Sequence, residues 1–220
     1  MQENRISDAV IHRLPKYYRY LSELETAGIE RVSSSRMSHD MSLNASQIRR
    51  DLNCFGGFGQ QGYGYQVGRL KQEIMKILGI GQPYRAVVVG AGNIGQALLK
   101  YRHFGDEGYD IIAVFDADPQ LIGRDVGGKT IRPLSELADF VKVNSVNIGI
   151  ITVPKPYAQK TADTLVSLGV KGIWNFAPVD VEVRRGVSVQ NVHLSDSLYI
   201  LSYHMRDKSE ENSYTQHEEM

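Results

Sequence analysis

Apolar side chains recur at helical spacing in the first third of the chain. Between residues 8 and 27 they follow steps of four and three, which is the spacing of one face of an amphipathic helix. These positions are Val10, Leu14, Tyr17, Leu21 and Leu24. Gly28 is typical of a helix end. The same spacing predicts a helix over 66–78, and shorter helices begin after the serines at 33–35 and after Asn44, which are good N-cap residues.

From residue 84 the pattern changes to short runs of β-branched and other apolar residues separated by amphipathic segments. Strands are predicted near 85–89, 110–116, 147–153, 172–177 and 188–194, and helices over 94–103, 134–142 and 156–168. Buried strands that alternate with helices indicate an α/β fold with a parallel, doubly wound sheet of the Rossmann type. A last helix is predicted over 195–205, before a polar, acidic tail that we expect to be disordered.

Composition excludes several functional classes. No apolar run reaches the length of a membrane span, and the first residues lack the apolar core of a signal peptide, so we expect a cytoplasmic protein. Cys54 is the single cysteine and the six histidines are scattered, so we expect no disulfide and no metal. Net charge is zero, but residues 31–71 hold six basic residues against two acidic ones. Such a basic segment is compatible with nucleic acid.

Two stretches have the spacing G-x-G-x-x-G: GFGQQG at 57–62 and GAGNIG at 90–95. Only the second follows a predicted strand and begins a predicted helix, the context in which free backbone N–H groups bind a pyrophosphate. Asp116 ends the next strand, 21 residues past Gly95, where an acid accepts hydrogen bonds from the adenine-side ribose. It would also repel a 2′-phosphate. We therefore expect NAD rather than NADP; the alternative is a tight turn without a ligand.

The first stretch follows a helix and is interleaved with aromatic residues, which favours a β-hairpin with a tight tip. Helices followed by a hairpin are the order of a winged helix, in which the hairpin is the wing. Arg49 and Arg50 then lie on the helix that takes the place of a recognition helix. The alternative is a small helical cap on the sheet, with arginines that are merely solvated.

A dinucleotide in this chain predicts either an enzyme or a sensor. Only about 25 residues separate the last sheet strand from the polar tail, which leaves no room for a substrate domain. His103 and His193 are the only acid–base candidates near the nucleotide half. A sensor needs no such group. A small NAD-dependent oxidoreductase with a helical lid and a non-catalytic protein-interaction module are the alternatives.

These motifs resemble the redox-sensing transcriptional repressor family Rex, over about residues 8–206. The matching stretches are RLPKYYRYL at 13–21, RVSSS at 31–35, QIRRDLNCFGGFGQQGYGYQV at 47–67, GAGNIG at 90–95, FDADP at 115–119, ITVPK at 151–155 and GIWNFAPV at 172–179. The resemblance implies a homodimer that binds palindromic operator DNA and releases it when NADH binds. It also implies a winged-helix domain over 1–80, a Rossmann NAD(H)-binding domain over 81–194, an exchanged dimerisation helix over 195–206 and a disordered tail over 207–220.

The resemblance also assigns roles to residues. The expected NADH or NAD+ contacts are Gly90, Ala91, Gly92, Asn93, Ile94, Gly95, Asp116, Thr152, Val153, Pro154, Asn175 and Phe176. The expected DNA contacts are Lys16, Ser33, Ser34, Gln47, Arg49, Arg50, Gln60, Gln61 and Tyr63. Family members carry basic residues at the wing tip, where this chain has glutamines. No membrane, metal or catalytic residue is implied.

A switch network is implied as well. It matches Arg19 and Tyr101, but the family's aspartate position is His193 in this chain. A neutral histidine would not form a charge pair with Arg19, and Asp196 is a candidate substitute. The final helix carries much apolar surface, which can pack on its own sheet or on a partner. For Cys54 a redox-sensitive thiol and a buried inert side chain are the two alternatives, of which the pattern favours the second.

Overall fold

The computed structural model describes residues 6–56, 59–60 and 63–215, with the backbone alone for 59–60 and 207–215. The chain divides into two compact units, Met1–Gln82 and Pro83–Met220. The elements of the first unit are α1 (Asp8–Ile11), α2 (Leu14–Thr26), β1 (Arg31–Val32), α3 (Ser34–Met41), α4 (Ala45–Asn53), β2 (Gly59–Gln60), β3 (Gly64–Gln66) and α5 (Val67–Leu78).

The predicted helix over 8–27 is in fact two helices, α1 and α2. Pro15 lies in the first turn of α2, where it lacks an N–H to donate to the preceding turn and its ring would collide with a carbonyl of α1. The periodicity nevertheless identified the core: Leu14, Tyr17 and Leu21 have no exposed surface. They pack with apolar residues of the other helices in one cluster, which includes Met37, Ile48, Leu52, Leu70 and Ile74.

A small antiparallel sheet in the order β1-β3-β2 completes the first unit. The hairpin of β2 and β3 is the wing expected from the aromatic and glycine pattern, whereas β1 was not predicted. Gly64 has a φ of +70°, and a Cβ there would lie 2.5 Å from the Val32 carbonyl oxygen of β1. Glycine is therefore needed for β3 to approach β1. This arrangement is a winged helix.

The second unit begins at Pro83. Its elements are β4 (Tyr84–Val89), α6 (Asn93–Lys100), α7 (His103–Asp106), β5 (Tyr109–Asp116), β6 (Asp125–Val126), β7 (Lys129–Pro133), a 3₁₀ turn (Leu134–Glu136), α8 (Leu137–Asn144), β8 (Ile148–Ile151), α9 (Lys155–Ser167), β9 (Gly172–Asn175), β10 (Ser188–Asn191) and α10 (Asp196–Thr215).

The sheet of this unit has the strand order β10-β9-β8-β4-β5-β7-β6. All neighbours pair in parallel except β6 with β7, an edge hairpin that was not predicted. Apolar clusters cover both faces of the sheet, as in a doubly wound fold. The chain leaves β4 toward β5 on one side and returns as β8 on the other. The carboxyl ends of β4 and β8 are therefore the topological switch point, where such folds bind ligands.

The last helix is longer than predicted. It runs from Asp196 to Thr215, through nine residues of the expected disordered tail over 207–220, because no glycine or proline interrupts the chain there. Its first half exposes large apolar side chains on several faces: Leu198, Tyr199, Ile200, Leu201, Tyr203 and Met205 are each more than half exposed. None of the helices within the described ranges is long and apolar enough to cross a membrane.

Candidate functional site

A cleft of about 920 Å³ opens at the switch point of the sheet. Its floor is formed by the ends of β4, β5 and β8, and its walls by the starts of α6 and α9. Its volume is near the upper end of the range of small-molecule sites. The predicted residues Gly90, Gly92, Ile94, Asp116, Thr152, Val153, Pro154 and Phe176 all line it.

The three glycines of GAGNIG serve three different purposes. Gly90 has a φ of +105°, and a Cβ there would lie 2.7 Å from the Thr152 carbonyl oxygen. A Cβ on Gly95 would collide with the carbonyl oxygen of Gly90, so this glycine lets α6 pack against the turn. At Gly92 the φ is negative and no atom lies within 4 Å of a Cβ. The space above Gly92 therefore belongs to the cleft, at the N-terminus of α6, where an anion is stabilised.

Asp116 fixes the glycine turn to the next strand. Its Oδ2 accepts a hydrogen bond from the Ala91 N–H at 2.5 Å, and its Oδ1 accepts one from the Asp118 N–H at 2.8 Å. Each oxygen keeps a lone pair for a further donor such as a ribose hydroxyl. A carboxylate at this position disfavours a second anion beside it.

A second candidate site lies on α3 and α4 of the first unit. Ser33 and Asn44 cap these helices as predicted, since Ser33 Oγ accepts from Arg36 N–H and Asn44 Oδ1 from Ser46 N–H. Arg49 donates to the hydroxyls of Ser34 and Ser46, at 3.1 and 2.9 Å. Its exposed guanidinium is therefore held between the two helices by neutral partners, which leave its charge uncompensated.

The other predicted DNA residues that the structure describes lie on α2, on α4 and in the wing. Lys16 donates to the Met41 carbonyl at the end of α3, at 2.8 Å. Arg50 is exposed, and Gln47 is half-buried on α4. Tyr63 is 71% exposed and directly precedes β3, in the turn of the wing. Of Gln60 only the backbone is described, and Gln61 lies outside the described residues.

An ion pair between the buried carboxylate of Asp51 and the partly exposed guanidinium of Arg13 joins α4 to the start of α2. Asp51 of α4 accepts from Arg13 Nε at 2.6 Å, from Arg13 Nη2 at 2.8 Å and from the Tyr17 hydroxyl at 2.7 Å. Burial raises the pKa of the Asp51 carboxyl, but the hydrogen bonds from Arg13 and Tyr17 outweigh it and hold the pKa below its ordinary value. Sequence reasoning missed this pair, because Arg13 and Asp51 are 38 positions apart.

Two family models match the two units separately. One described as "Putative DNA-binding protein N-terminus" matches residues 5–53, and one described as "CoA binding domain" matches residues 81–179. A redox-sensing transcriptional repressor Rex of Clostridium botulinum is 52% identical over 94% of this chain and 100% of its own length. The Rex of Clostridioides difficile is 51% identical over 92% of this chain and 96% of its own.

This chain belongs to the Rex family of redox-sensing transcriptional repressors.

Solved Rex structures share its fold. The structure of RSP, described as a Rex-family repressor, has a TM-score of 0.88 at 42% identity and covers 96% of this chain and 99% of its own. RSP in complex with beta-NAD+ and operator DNA has a TM-score of 0.87 at 44% identity, covering 96% of this chain and 97% of its own. RSP in complex with beta-NADH has a TM-score of 0.87 at 42% identity, covering 95% and 98%.

Not every residue expected from the Rex resemblance faces the cleft. The amide of Asn175 is fully buried and engaged: it donates to the Val179 carbonyl and to Asn191 Oδ1, and accepts from Ala177 N–H. Asn175 therefore shapes the loop after β9 and does not line the cleft. Ala91 and Gly95 are buried under the turn, and Asn93 is exposed in the first turn of α6.

The sequence analysis missed one whole wall of the cleft. Tyr157, Lys160, Thr161 and Thr164 line it from α9, and Leu121 and Leu134 also line the cleft. The α9 positions follow steps of three and four, so they share one face of that helix. A signal was present, since a helix that follows a strand ending at the switch point must place its first turns beside the cleft.

The switch network expected in the Rex family involves both units. Arg19 is exposed in the first unit, and Tyr101 is exposed in the second, where its ring contacts Phe104. His193 Nε2 lies 2.8 Å from Asp180 Oδ1. The structure thus gives His193 an acidic partner, Asp180, that the sequence analysis did not consider, while the network itself stays a prediction.

Two further expectations concern cysteine and metal. Cys54 is exposed, so the expectation that it is buried was wrong; its thiol donates to the Arg50 carbonyl at the end of α4. The part of the chain that the structure describes contains no group of three or more His, Cys, Asp or Glu side chains that could hold a metal ion.

Proposed function

We propose that this chain is a repressor that binds operator DNA and releases it when NADH enters the cleft. The observation that carries this proposal is the combination, in one chain, of a dinucleotide cleft and a winged helix with an exposed basic surface. RSP, which has the same fold over 96% of this chain, has been solved with beta-NAD+ and operator DNA. Because a transcriptional repressor works where the DNA is, we propose that the chain acts in the cytoplasm.

In the cleft, the pyrophosphate would lie over Gly92 at the N-terminus of α6, and Asp116 would bind the adenine-side ribose. The nicotinamide would then lie toward Ile94, Val153 and Phe176. This end of the cleft is apolar, so it favours the neutral ring of NADH over the cationic ring of NAD+, since burying an unpaired charge is costly.

On DNA, α4 would enter the major groove and place Arg49 and Arg50 against base edges. Ser33, Ser34 and Lys16 would contact phosphates. The wing, with Gln60, Gln61 and Tyr63 toward its tip, would follow the minor groove. Gln47, half-buried on α4, is proposed as a further contact.

Two copies would be needed to read a palindromic operator. The first half of α10 exposes apolar side chains on more than one face, and a helix that is apolar all round is normally buried. We propose that it packs on a second copy, as an exchanged helix, and that NADH closes this dimer so that the two α4 helices no longer match half-sites a turn apart. A coupling of about 1–3 kcal/mol changes DNA affinity about 5- to 150-fold.

The deciding experiment titrates the protein–DNA complex with each nucleotide. A labelled duplex that the wild-type chain has enriched from a random library is bound, and its anisotropy is followed as NADH or NAD+ is added. NADH is expected to release the duplex at a concentration at which NAD+ does not. Equal release by both nucleotides would contradict the discrimination, and failure to enrich any duplex would contradict the repressor.

Substitution in α10 tests the dimer. Leu198→Asp with Leu201→Asp should shift the chain from dimer to monomer, because two charges would be buried in an apolar interface. Light scattering after size-exclusion chromatography measures the mass. Val143→Asp is the matched control, since Val143 is 79% exposed but lies on α8. A dimer that survives both α10 charges would show that α10 is not the interface.

The alternative of a small oxidoreductase has little support. The relatives that match this chain over nearly its whole length are named as repressors. Its candidate histidines do not lie in the cleft: His193 is paired with Asp180, and His103 lies on α7. Sustained oxidation of NADH in the presence of a panel of carbonyl compounds would be evidence for the oxidoreductase.

A further inference from the structure

Asp51 is unusual among the residues whose burial is described: it is the one buried side chain that carries a charge, at 3% exposure. It lies on α4, directly after Arg49 and Arg50. A buried carboxylate costs stability unless it is paired. The burial of Asp51 therefore indicates a specific role for its contacts.

The contacts of Asp51 join α4 to α2 in a directional way. The Arg13 guanidinium meets both carboxylate oxygens, through Nε at 2.6 Å and Nη2 at 2.8 Å, and the Tyr17 hydroxyl donates to Oδ2 at 2.7 Å. Such a fork fixes angles as well as distance. Apolar contacts are not directional, so Ile48 and Leu52 alone would hold α4 on the core without fixing its rotation.

The ion pair also neutralises the negative charge of Asp51 beside the two exposed arginines. A carboxylate one residue from Arg50 would, if uncompensated, attract the arginines and repel DNA phosphates. Arg13, the N-cap residue of α2, compensates it with a partly exposed guanidinium. The hydrogen-bond acceptors of the two exposed arginines are neutral, namely the Ser34 and Ser46 hydroxyls and the Ser46 carbonyl.

We propose that Asp51 is a positioning residue for DNA recognition: Arg13 and Tyr17 hold it so that α4 is rotated with Arg49 and Arg50 facing the bases. This inference rests on the proposed function. It assigns to Asp51 no contact with DNA, only the orientation of the residues that make one.

The chain supplies a matched control in a second Tyr–Asp–Arg cluster. Asp40 of α3 accepts from the Tyr20 hydroxyl at 2.7 Å and lies 3.4 Å from Arg36 Nε. Tyr20 is one turn of α2 beyond Tyr17. This cluster is exposed and does not involve α4, so Asp40→Asn makes the same chemical change without affecting the rotation of α4.

The experiment measures specificity as well as affinity. Wild-type chain, Asp51→Asn and Asp40→Asn are titrated into the duplex enriched by the wild type and into a scrambled duplex of the same length. For each protein, the readout is the ratio of its affinity for the enriched duplex to its affinity for the scrambled duplex. A rotated α4 keeps its charge attraction for phosphates but loses base contacts, so Asp51→Asn should lower the ratio about tenfold or more, since a single lost base contact already costs about that much. Asp40→Asn should leave it within about twofold, as expected for an exposed pair.

A merely structural role would give a different result. If Asp51→Asn only unfolded part of the protein, both duplexes would lose affinity by the same factor and the ratio would be unchanged, which would overturn the inference. An equal fall with Asp40→Asn would overturn it too. NADH affinity, measured by quenching of Trp174, the single tryptophan, should be the same in all three proteins.

A milder variant covers the case in which Asp51→Asn does not fold. Tyr17→Phe removes one hydrogen bond and keeps the packed ring and the Arg13 pair. It should lower the ratio about two- to tenfold, the range for one such bond. An unchanged ratio in Tyr17→Phe would then count against the inference. If the wild-type chain enriches no duplex, the proposed function fails first, before Asp51 is in question.

Discussion

Replacing Arg49 and Arg50 together by alanine is expected to abolish specific DNA binding and to leave NADH binding unchanged. Both side chains are exposed on α4, and they donate hydrogen bonds to serine hydroxyls and a backbone carbonyl, so their charge is available to DNA. An arginine that contacts a guanine with two donors contributes about 1–3 kcal/mol, so the loss of both lowers affinity about 30-fold at the least. Anisotropy of the enriched duplex measures the loss.

The control for the arginine substitutions is Arg185→Ala, which removes an exposed charge from the second unit. It should bind DNA as the wild type does. The NADH titration separates a lost contact from a lost fold. If the double variant loses NADH affinity as well, a folding defect is indicated; if it keeps its DNA affinity, α4 is not the recognition helix.

Substituting Gly92 by valine is expected to produce a repressor that ignores NADH. A Cβ at Gly92 meets no protein atom within 4 Å, and the backbone there has a negative φ that valine adopts easily. The fold should therefore survive. The added methyl groups would fill the space proposed for the pyrophosphate, so NADH affinity should fall at least about 100-fold, because close backbone approach to the phosphates is what this glycine permits.

Two measurements check the Gly92 variant. Trp174 lies in ring contact with Phe176 of the cleft, at 4.7 Å between ring centroids, so quenching of its fluorescence reports NADH binding. DNA release by NADH is then followed by anisotropy. Gly105→Val is the matched control, since a Cβ there is also unopposed but Gly105 lies on α7, outside the cleft. Wild-type NADH affinity in Gly92→Val would place the pyrophosphate elsewhere.

Local patterns were sufficient for much of this protein. The steps of four and three at Leu14, Tyr17 and Leu21 identified the core of the first unit, because helical periodicity is a property of the chain itself. The context of GAGNIG, between a strand and a helix, located the cleft for the same reason: strand, turn and helix are contiguous. A serine within 33–35, which proved to be Ser33, and Asn44 were recognised as caps, since a cap acts on residues two or three positions away.

Other features depended on residues far apart in sequence. The sequence could not predict that Arg13 holds Asp51, because both residues are ordinary members of polar patterns until the helices pack. The hairpin of β6 and β7 was missed because its strands are short and contain few apolar residues, chiefly Val126 and Ile131. The break before α2, by contrast, could have been predicted from the sequence, because Pro15 is a local signal for the start of a new helix.

The sequence alone determined the two-unit fold, the cleft beside Gly90, Gly92 and Asp116, and the basic helix. Each of these depends on a pattern of residues that are neighbours along the chain. Tertiary structure decided the rest. Packing gave α9 its place on the cleft, turned the Asn175 side chain inward, and set Arg13 against Asp51. These outcomes depend on distances between elements, which are fixed by the close packing of two cores and not by the order of residues along either element.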